Sequence, residues 1–346
     1  MVLSSLAMLS IMMVEFTFNT QINLQISNNF KNSLKAQELA KSGIHFSMLE
    51  LTIYKNIREN PALKQIPGFN EGMLDMIWQF GFLYPPPLSK KGTFGQERQA
   101  KELVETSLID GKIRVEIQDE GTKINLNDLV NPQLRPGIVA QLDTIFERKK
   151  TTDEDFNQKY KDLRTEELSN QILDWIDKDN IKTGGGDEDN YYSRQTPPYK
   201  SKNAPLDVVS ELALIEGFNQ KEIFDLLLPY VTVYSIGGIN VNTADAAMLM
   251  TISPEITEED AKKIVQHRNT AGYFKDTKAF EDFCKNTLLK SSEFNKNPKI
   301  SLNTRSTIYS LKSRAEVKGV VQTITAVVDI SKAGAGAPEI LYWNIN

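Results

Sequence analysis

The apolar and polar positions at the start of the chain follow the pattern of one long helix. Residues 1–14 (MVLSSLAMLSIMMV) are uncharged and mostly apolar, and Glu15 is the first charged residue. No proline occurs before Pro61, and apolar residues then recur at helical spacing through Phe30, Leu34 and Ile44. We predict a helix of about 55 residues, on the order of 80 Å long at 1.5 Å per residue. A complete membrane span needs about 20 apolar residues, so we expect the printed sequence to begin a few residues inside the span.

Strands are predicted in two other parts of the chain. Residues 112–118 alternate between apolar and polar, as in a half-buried strand, and residues 307–318, 320–330 and 340–345 near the C-terminus have strand composition, with clean alternation from Ile324 to Ile330. The long interval between these strands has helical periodicity. Strands on both sides of a helical block indicate that the block is inserted into one α+β domain.

These patterns divide the chain into four parts. The predicted order is a membrane-embedded part of the first helix (1–27), the first part of a sheet-bearing body (28–123), an inserted all-helical domain (124–300) and the C-terminal strands of the body (301–346). The fold class is therefore α+β, with a long N-terminal helix packed on an antiparallel sheet.

A short element repeats within the helical interval. The sequence INLN at 124–127 and the sequence INVN at 239–242 each precede a helical pattern. An Asn or Thr at the end of such an element can cap the first N–H groups of the helix that follows. We interpret the two elements as a weak internal repeat.

Six carboxylates crowd into 16 residues between Asp174 and Asp189, around the three glycines at 184–186. Oxygen ligands from short side chains on a glycine-rich loop suit Ca²⁺, which takes six to eight oxygens in flexible geometry. The alternative is a solvated acidic loop without a metal. Trp175 and Tyr191 frame the run and favour an ordered, metal-binding loop. A standard EF-hand does not fit, because Ile181 and Lys182 stand where an oxygen ligand and a glycine are needed.

Composition narrows the possible functions. The formal net charge is −5 and no basic block stands out, which disfavours a nucleic-acid interface. The single cysteine, Cys284, excludes an intrachain disulfide. The phosphate-binding, zinc-protease and serine-hydrolase motifs are all absent from the sequence, so we expect no enzymatic activity and no catalytic residue.

Two alternatives stay open at this point. Residues 239–274 resemble the helix-hairpin-helix modules that bind DNA through a glycine-rich turn. Here the turn contains Pro254 and is followed by Glu258 and Glu259, which would repel phosphate. A membrane-anchored DNA-binding protein is therefore the second reading. The third reading is a secreted enzyme that uses paired carboxylates.

Several motifs together resemble one family, that of the type II secretion minor pseudopilin K. The carrying segments are DEGTKINLNDL (119–129), DWIDKDN with GGGDEDNYY (174–192), PPY (197–199), NAPLDVVSELALIEG (203–217), INVNTA (239–244), and Phe274 and Phe280 after the Arg268–Gly272 spacing. With the N-terminal stem, the resemblance covers nearly the whole chain.

The resemblance implies a structural protein at the tip of a periplasmic pseudopilus, with a pilin-like body and a large helical insertion. It implies a single-pass anchor in the bacterial inner membrane, a globular part in the periplasm and contacts with the other minor pseudopilins. It leaves open a contact with the secreted proteins, and it implies no nucleic-acid partner. It also implies calcium in the acidic loop, with Asp177, Asp179, Glu188 and Asp189 as ligands and Asp174 and Asp187 as further candidates.

Overall fold

We analysed a computed structural model of the chain. It describes residues 2–60, 62, 74, 76–79, 81–86, 106–107, 109–234, 237–270, 272–296, 298–332 and 337–346. The chain divides into two compact units. The first holds the described residues of 1–60, 75–118 and 310–346, and the second holds those of 61–74 and 119–309. The domain borders predicted at 28–123, 124–300 and 301–346 stay predictions.

The first unit contains a long helix and the main sheet. Helix α1 spans Val2–Glu59 and the short helix α2 spans Met76–Gln79. The five strands are β1 (Leu83–Tyr84), β2 (Lys112–Asp119), β7 (Ile308–Val317), β8 (Val320–Asp329) and β9 (Glu339–Ile345), in the order β1-β2-β7-β8-β9. Strands from before and after the helical interval therefore share one sheet, which confirms the predicted α+β fold. The border between the units crosses β2 after Gln118 and β7 after Tyr309.

Helix α1 approaches the sheet through small residues on one side. Ala36, Ala40, Gly43 and Ser47 are buried along this side. A Cβ atom added at Gly43 would lie 2.5 Å from Ser313 Oγ and 2.8 Å from a methyl carbon of Val115. Glycine is thus the residue that lets the helix backbone come this close to β2 and β7, and the interdigitated packing leaves no room for a methyl group.

The N-terminal half of α1 makes no such contacts among the described residues. Every described residue of α1 before Lys31 is exposed, including Leu3, Phe16 and Phe30 at 86%, 74% and 66%. Within the described part of the chain, α1 is the one helix long and apolar enough to cross a membrane. An exposed apolar surface of this extent on a folded protein marks an interaction with lipid or with another protein.

The second unit is predominantly helical. Its α-helices are α3 (Arg135–Thr152), α4 (Glu154–Tyr160), α5 (Thr165–Ile176), α6 (Asp189–Tyr192), α7 (Lys221–Leu227), α8 (Ala246–Leu249), α9 (Glu258–Thr270) and α10 (Thr277–Asn286). Three short 3₁₀ helices span Glu120–Thr122, Leu126–Val130 and Val209–Leu214. Two parallel strand pairs complete the unit, β3 (Ile124–Asn125) with β4 (Val231–Thr232) and β5 (Ile239–Asn240) with β6 (Leu302–Asn303).

The first INxN element is held by the side chain of Asn127. Its Nδ2 donates to the carbonyl oxygens of Leu206 (3.0 Å) and Val233 (3.2 Å), and its Oδ1 accepts from the N–H of Leu206 (2.8 Å). The Asn125 carboxamide oxygen accepts from the N–H of Asn127. The element thus joins the chain after α6 to the chain after α7.

The second element makes the same set of hydrogen bonds. Asn242 Nδ2 donates to the carbonyl oxygens of Phe274 (2.9 Å) and Thr304 (3.0 Å), and Oδ1 accepts from the N–H of Phe274 (2.9 Å). The oxygen of Asn240 accepts from the N–H of Asn242. The predicted weak repeat is therefore a repeat of hydrogen bonding, in which the last Asn of each element binds backbone groups of two later segments.

The prediction that the residue at the end of each element caps the following helix is wrong for both elements, because the side chains of Asn127 and Asn242 bond distant backbone groups. Asn125 caps the 3₁₀ helix Leu126–Val130. Helix α8 is instead capped by Asp245, which accepts from the N–H of Met248 at 2.8 Å. Asn242 cannot serve as the cap because its side chain is committed to the Phe274 and Thr304 backbone.

We expect Asn242→Ala to destabilise the protein by about 2–4 kcal/mol, because the change leaves three buried backbone groups without a partner. Asn242 is 3% exposed. The measurement is urea unfolding followed by circular dichroism. Asn269→Ala, at an exposed position of α9, is the matched control and should change stability by less than about 0.5 kcal/mol. Equal stabilities for the two variants would contradict the clamp.

Candidate metal centre

Two carboxylates, those of Asp174 and Asp177, lie at the C-terminal end of α5. Asp174 lies in the last turn and Asp177 is the C-terminal cap. The last turn of α5 contains no basic residue. Because the C-terminus of a helix is the negative end of its dipole, two carboxylates there are unfavourable unless positive charge offsets them.

A third carboxylate converges on this pair from the other side of the loop. Glu188 directly precedes α6, and one carboxylate oxygen each from Asp174, Asp177 and Glu188 lies within 4.8 Å of the other two. Asp174 and Glu188 are only 3% and 4% exposed. Oδ2 of Asp174, Oδ1 of Asp177 and both oxygens of Glu188 are buried without a hydrogen-bond partner. Buried polar atoms in a folded protein nearly always have partners, and four such oxygens at one point form a cluster that could bind a cation.

The intervening loop returns to the cluster through Thr183. The backbone N–H of Thr183 donates to Asp174 Oδ1 at 2.9 Å, and its hydroxyl donates to the same oxygen. A single β-bridge joins Ile181 to Asp187. The glycines at 184–186 all have positive φ values, between 93° and 115°, and a Cβ atom there would meet nothing within 4 Å. These glycines are therefore required by the backbone conformation of the turn and not by packing.

The other predicted ligands lie outside this cluster of three carboxylates. Asp179 is exposed and its Oδ1 accepts from the N–H of Ile181 at 2.8 Å. Asp187 is exposed and accepts from the N–H of Asp189. Asp189 accepts from the N–H and hydroxyl of Ser201, at 3.0 and 3.2 Å, and lies 3.6 Å from Lys200 Nζ. The structure thus brings together Asp177 and Glu188 of the four predicted ligands, and it adds Asp174.

An aromatic group supports the base of the loop. The rings of Trp175 and Tyr192 meet edge to face with centroids 5.0 Å apart, and Tyr199 lies 6.2 Å from Trp175. The hydroxyl of Tyr199 donates to the carbonyl oxygen of Leu214 at 2.7 Å. The N–H of Asn203 donates to the carbonyl oxygen of Trp175. This packing fixes the end of α5 and the chain after α6, so the acidic cluster sits on a rigid support.

The electrostatics agree with the geometry. Burial, followed by the nearby charge of Asp177, raises the pKa of Glu188 to about 7. Burial and the charge of Asp179 raise the pKa of Asp177 as well. Both shifts reflect the cost of holding ionised carboxylates close together away from water. A divalent cation would reverse this cost by neutralising the cluster.

The cluster fits a hard cation. It offers carboxylate oxygens only, with no sulfur or imidazole, which are the ligands of Ca²⁺ or Mg²⁺ and not of structural zinc. Sequence reasoning ranked Asp174 below Asp189 because spacing does not reveal side-chain direction. It also missed Thr183. The available signal in the sequence is that Thr183 directly precedes the glycines at 184–186.

The helix-hairpin-helix turn has an acidic surface. Glu255 accepts hydrogen bonds from the N–H and hydroxyl of Ser291, at 2.8 and 2.6 Å. Glu258 and Glu259 form ion pairs with Lys262 and Lys263 on the same helix. The lysines are thereby neutralised, and the turn has none of the basic surface on which DNA binding depends.

A long helix with an exposed apolar half, packed on an antiparallel sheet that a helical segment interrupts in sequence, defines a pilin-like protein with an inserted domain. Two family models, both described as type II secretion system protein K, match residues 122–235 and 239–303 and together span just over half of the chain. The chain belongs to the type II secretion system protein K family.

Curated relatives point the same way. The type II secretion system protein K of Pseudomonas aeruginosa is 32% identical over 181 residues, 51% of this chain and 51% of the relative. Those of Pectobacterium carotovorum and Klebsiella pneumoniae are 34% and 36% identical, each over 32% of this chain and 35% and 36% of the relative. The matches thus span about a third to a half of the length of these relatives.

One solved structure resembles nearly the whole chain. A chain in the crystal structure of the GspK-GspI-GspJ complex from the enterotoxigenic Escherichia coli type 2 secretion system matches with a TM-score of 0.59. The match covers 95% of this chain and 99% of that chain at 21% identity. At this identity the comparison shows the fold alone.

In the presence of a chelator, we expect Asp177→Asn to raise the free energy of unfolding by about 1 kcal/mol, because it removes one of three mutually repelling charges. The matched control is Asp143→Asn, which changes an exposed carboxylate on α3. Thermal unfolding in EDTA compares both variants with the wild type. A loss of stability in Asp177→Asn alone would show that this carboxylate is not under repulsion.

Proposed function

We propose that the protein is a minor pseudopilin at the tip of a type II secretion pseudopilus, with a structural role in assembly and no enzymatic activity. The observation that carries the proposal is the divided surface of α1. Its second half packs on the sheet through Ala36, Ala40 and Gly43, whereas its first half exposes apolar side chains throughout. Such a helix suits a subunit that lies in a bilayer before assembly and then packs on other subunits through the exposed half of α1.

The proposed location follows from the same helix. The exposed apolar part of α1 anchors the protein in the bacterial inner membrane in a single pass, and the two folded units lie in the periplasm. The orientation is inferred from membership of the protein K family and from the absence of any other described helix that can cross a membrane.

The proposed partners are the other minor pseudopilins of the same system. The GspK chain to which this fold is similar was solved together with GspI and GspJ. The tip position is supported by the large helical unit between β2 and β7, since such a bulky addition would not fit inside a uniform filament. Contacts with secreted proteins are compatible with an exposed position at the end of the filament.

We further propose that the acidic centre binds calcium through Asp174, Asp177 and Glu188. The four unpaired carboxylate oxygens support this ligand set. Because Ca²⁺ takes six to eight oxygens, other oxygens must complete the shell, and Asp179 and Asp189 remain candidates as predicted. The ion would neutralise the cluster and hold the end of α5 to the start of α6, which is a structural contribution.

The assembly proposal is tested by co-purification of the detergent-solubilised full chain with the counterparts of GspI and GspJ from its own secretion system. We expect a stable complex in which each chain is present once. A matched mixture of the same three chains with the major pilin-like subunit in excess controls for non-specific association of apolar stems. Failure to form a complex, with all chains folded by circular dichroism, would refute the assembly role.

The calcium proposal is tested by thermal unfolding with calcium and with EDTA. Calcium at about 100 times its dissociation constant should stabilise the wild type by about 2.7 kcal/mol, which corresponds to several degrees in Tm. Asp177→Asn should lose most of this gain and Asp143→Asn should keep it. Terbium luminescence excited through Trp175, the chain neighbour of Asp174, gives a second readout that does not depend on stability. An unchanged Tm together with no terbium signal would contradict a cation site.

A further inference from the structure

The two edges of the main sheet differ in how they are protected. At one edge β1 is only two residues long and Pro85 follows it directly. At the other edge β9 runs for seven residues, and no strand of the described residues pairs with its outer side. Proteins usually block such an edge with a proline, a lysine or a very short strand, because its free backbone groups can pair with another chain.

The hydrogen-bond register identifies which backbone groups of β9 face outward. Thr323 and Asn346 exchange two hydrogen bonds, of 2.9 and 2.8 Å. In an antiparallel pair such hydrogen-bonded positions alternate with positions that point away from the neighbouring strand. Ile345 and Trp343, opposite Ile324 and Ala326, occupy the alternate positions. Their N–H and C=O groups therefore point to the open edge.

The start of β9 is partly protected and its end is not. Pro338 precedes the strand, Glu339 pairs with Lys332 at 3.3 Å, and a bulge interrupts the pairing near Val328. From residue 340 onward the strand has no charged residue. The unprotected part is thus the segment from Trp343 to Ile345.

The side chains at this edge determine the polarity and charge that a strand added there would need. Ile324 and Ala326 are fully buried, and Gln322 on the same side of β8 donates to Ser33 of α1 at 3.0 Å. Trp343 and Ile345 therefore lie on the α1 side of the sheet, where Ile345 is 40% exposed. A matching strand would place apolar residues on this side at alternate positions. It would also be uncharged, because β9 offers no free charge to pair with.

We propose that the open edge of β9 is a docking site for a strand of another pilin-like subunit, an uncharged extended segment that is apolar at alternate residues. Strand addition of this kind takes its affinity from main-chain hydrogen bonds and its specificity from alternate side chains. The inference rests on the proposed function for the identity of the partner. It concerns a surface distinct from the stem and from the acidic centre.

A proline scan of β9 tests the backbone part of the inference. Ile345→Pro removes an outward N–H and leaves the bonds to β8 intact, so the Tm should stay close to that of the wild type. Affinity for the GspI and GspJ counterparts should fall about tenfold, measured by interferometry with the full chain in detergent. Asn344→Pro removes an inward N–H and should lower the Tm. Unchanged affinity in a folded Ile345→Pro protein would overturn the inference.

A charge scan keeps the test decisive if the proline variant fails to fold. Trp343→Lys adds a charge on the side where the added strand would place apolar residues, and Asn344→Lys adds the same charge on the opposite side of the sheet. We expect about tenfold weaker binding for the first and wild-type binding for the second. Equal binding by both variants overturns the strand docking and leaves the proposed function standing. A wild-type chain that binds neither counterpart refutes the proposed function and the inference with it.

Photocrosslinking identifies the occupant. Benzoylphenylalanine at position 345 should crosslink to a strand of one of the two counterparts, as mapped by mass spectrometry. A crosslink to a second copy of this chain, or to a helix of a counterpart, contradicts the proposal.

Discussion

The rule that a buried polar group needs a partner governs the helical unit. Two asparagine side chains satisfy it by clamping backbone groups from segments distant in sequence, Asn127 at Leu206 and Val233 and Asn242 at Phe274 and Thr304. Because each clamp joins two chain segments to one short strand, the two halves of the unit are built on the same plan. The halves differ in the charge at the C-terminal end of one helix in each, α5 in the first half and α9 in the second.

In the second half, that helix end is neutralised within the protein. Arg268 of α9 is 8% exposed and donates to the carbonyl oxygens of Val241 (2.7 Å) and Ala244 (2.8 Å). A cation near the C-terminus of a helix is favourable, and here it also satisfies two carbonyl groups. In the first half α5 ends in Asp174 and Asp177, and its last turn contains no basic residue. The two helix ends thus differ in charge, and the acidic one could bind a metal ion.

The elements that depend on local periodicity were predictable from the sequence. The long helix, predicted at about 55 residues, spans Val2–Glu59, and the strand at 112–118 and the three C-terminal strands appear within one residue of the predicted bounds. The convergence of Asp174 with Glu188 was not predictable, because it depends on how a ten-residue loop closes. Asp189 illustrates the difficulty: it is adjacent to Glu188, yet its carboxylate accepts from Ser201, twelve residues later. The cap of α8 failed for the same reason, since Asn242 was already committed to a long-range contact.

The acidic loop has little packing of its own to hold it. Ile181 is 68% exposed, and the three glycines carry no side chains and lose much conformational freedom when ordered. The loop is held by the two hydrogen bonds from Thr183 to Asp174, by the backbone bridge between Ile181 and Asp187, and by the ion pair of Lys182 with Glu216 at 2.9 Å. Of these contacts, the hydrogen bonds from Thr183 involve the carboxylate cluster. A cation that neutralised Asp174, Asp177 and Glu188 would also stabilise the acceptor to which Thr183 is bound. Its affinity would be reduced by the entropy of ordering the glycines, so substitutions at 184–186 would act on the centre without contacting it.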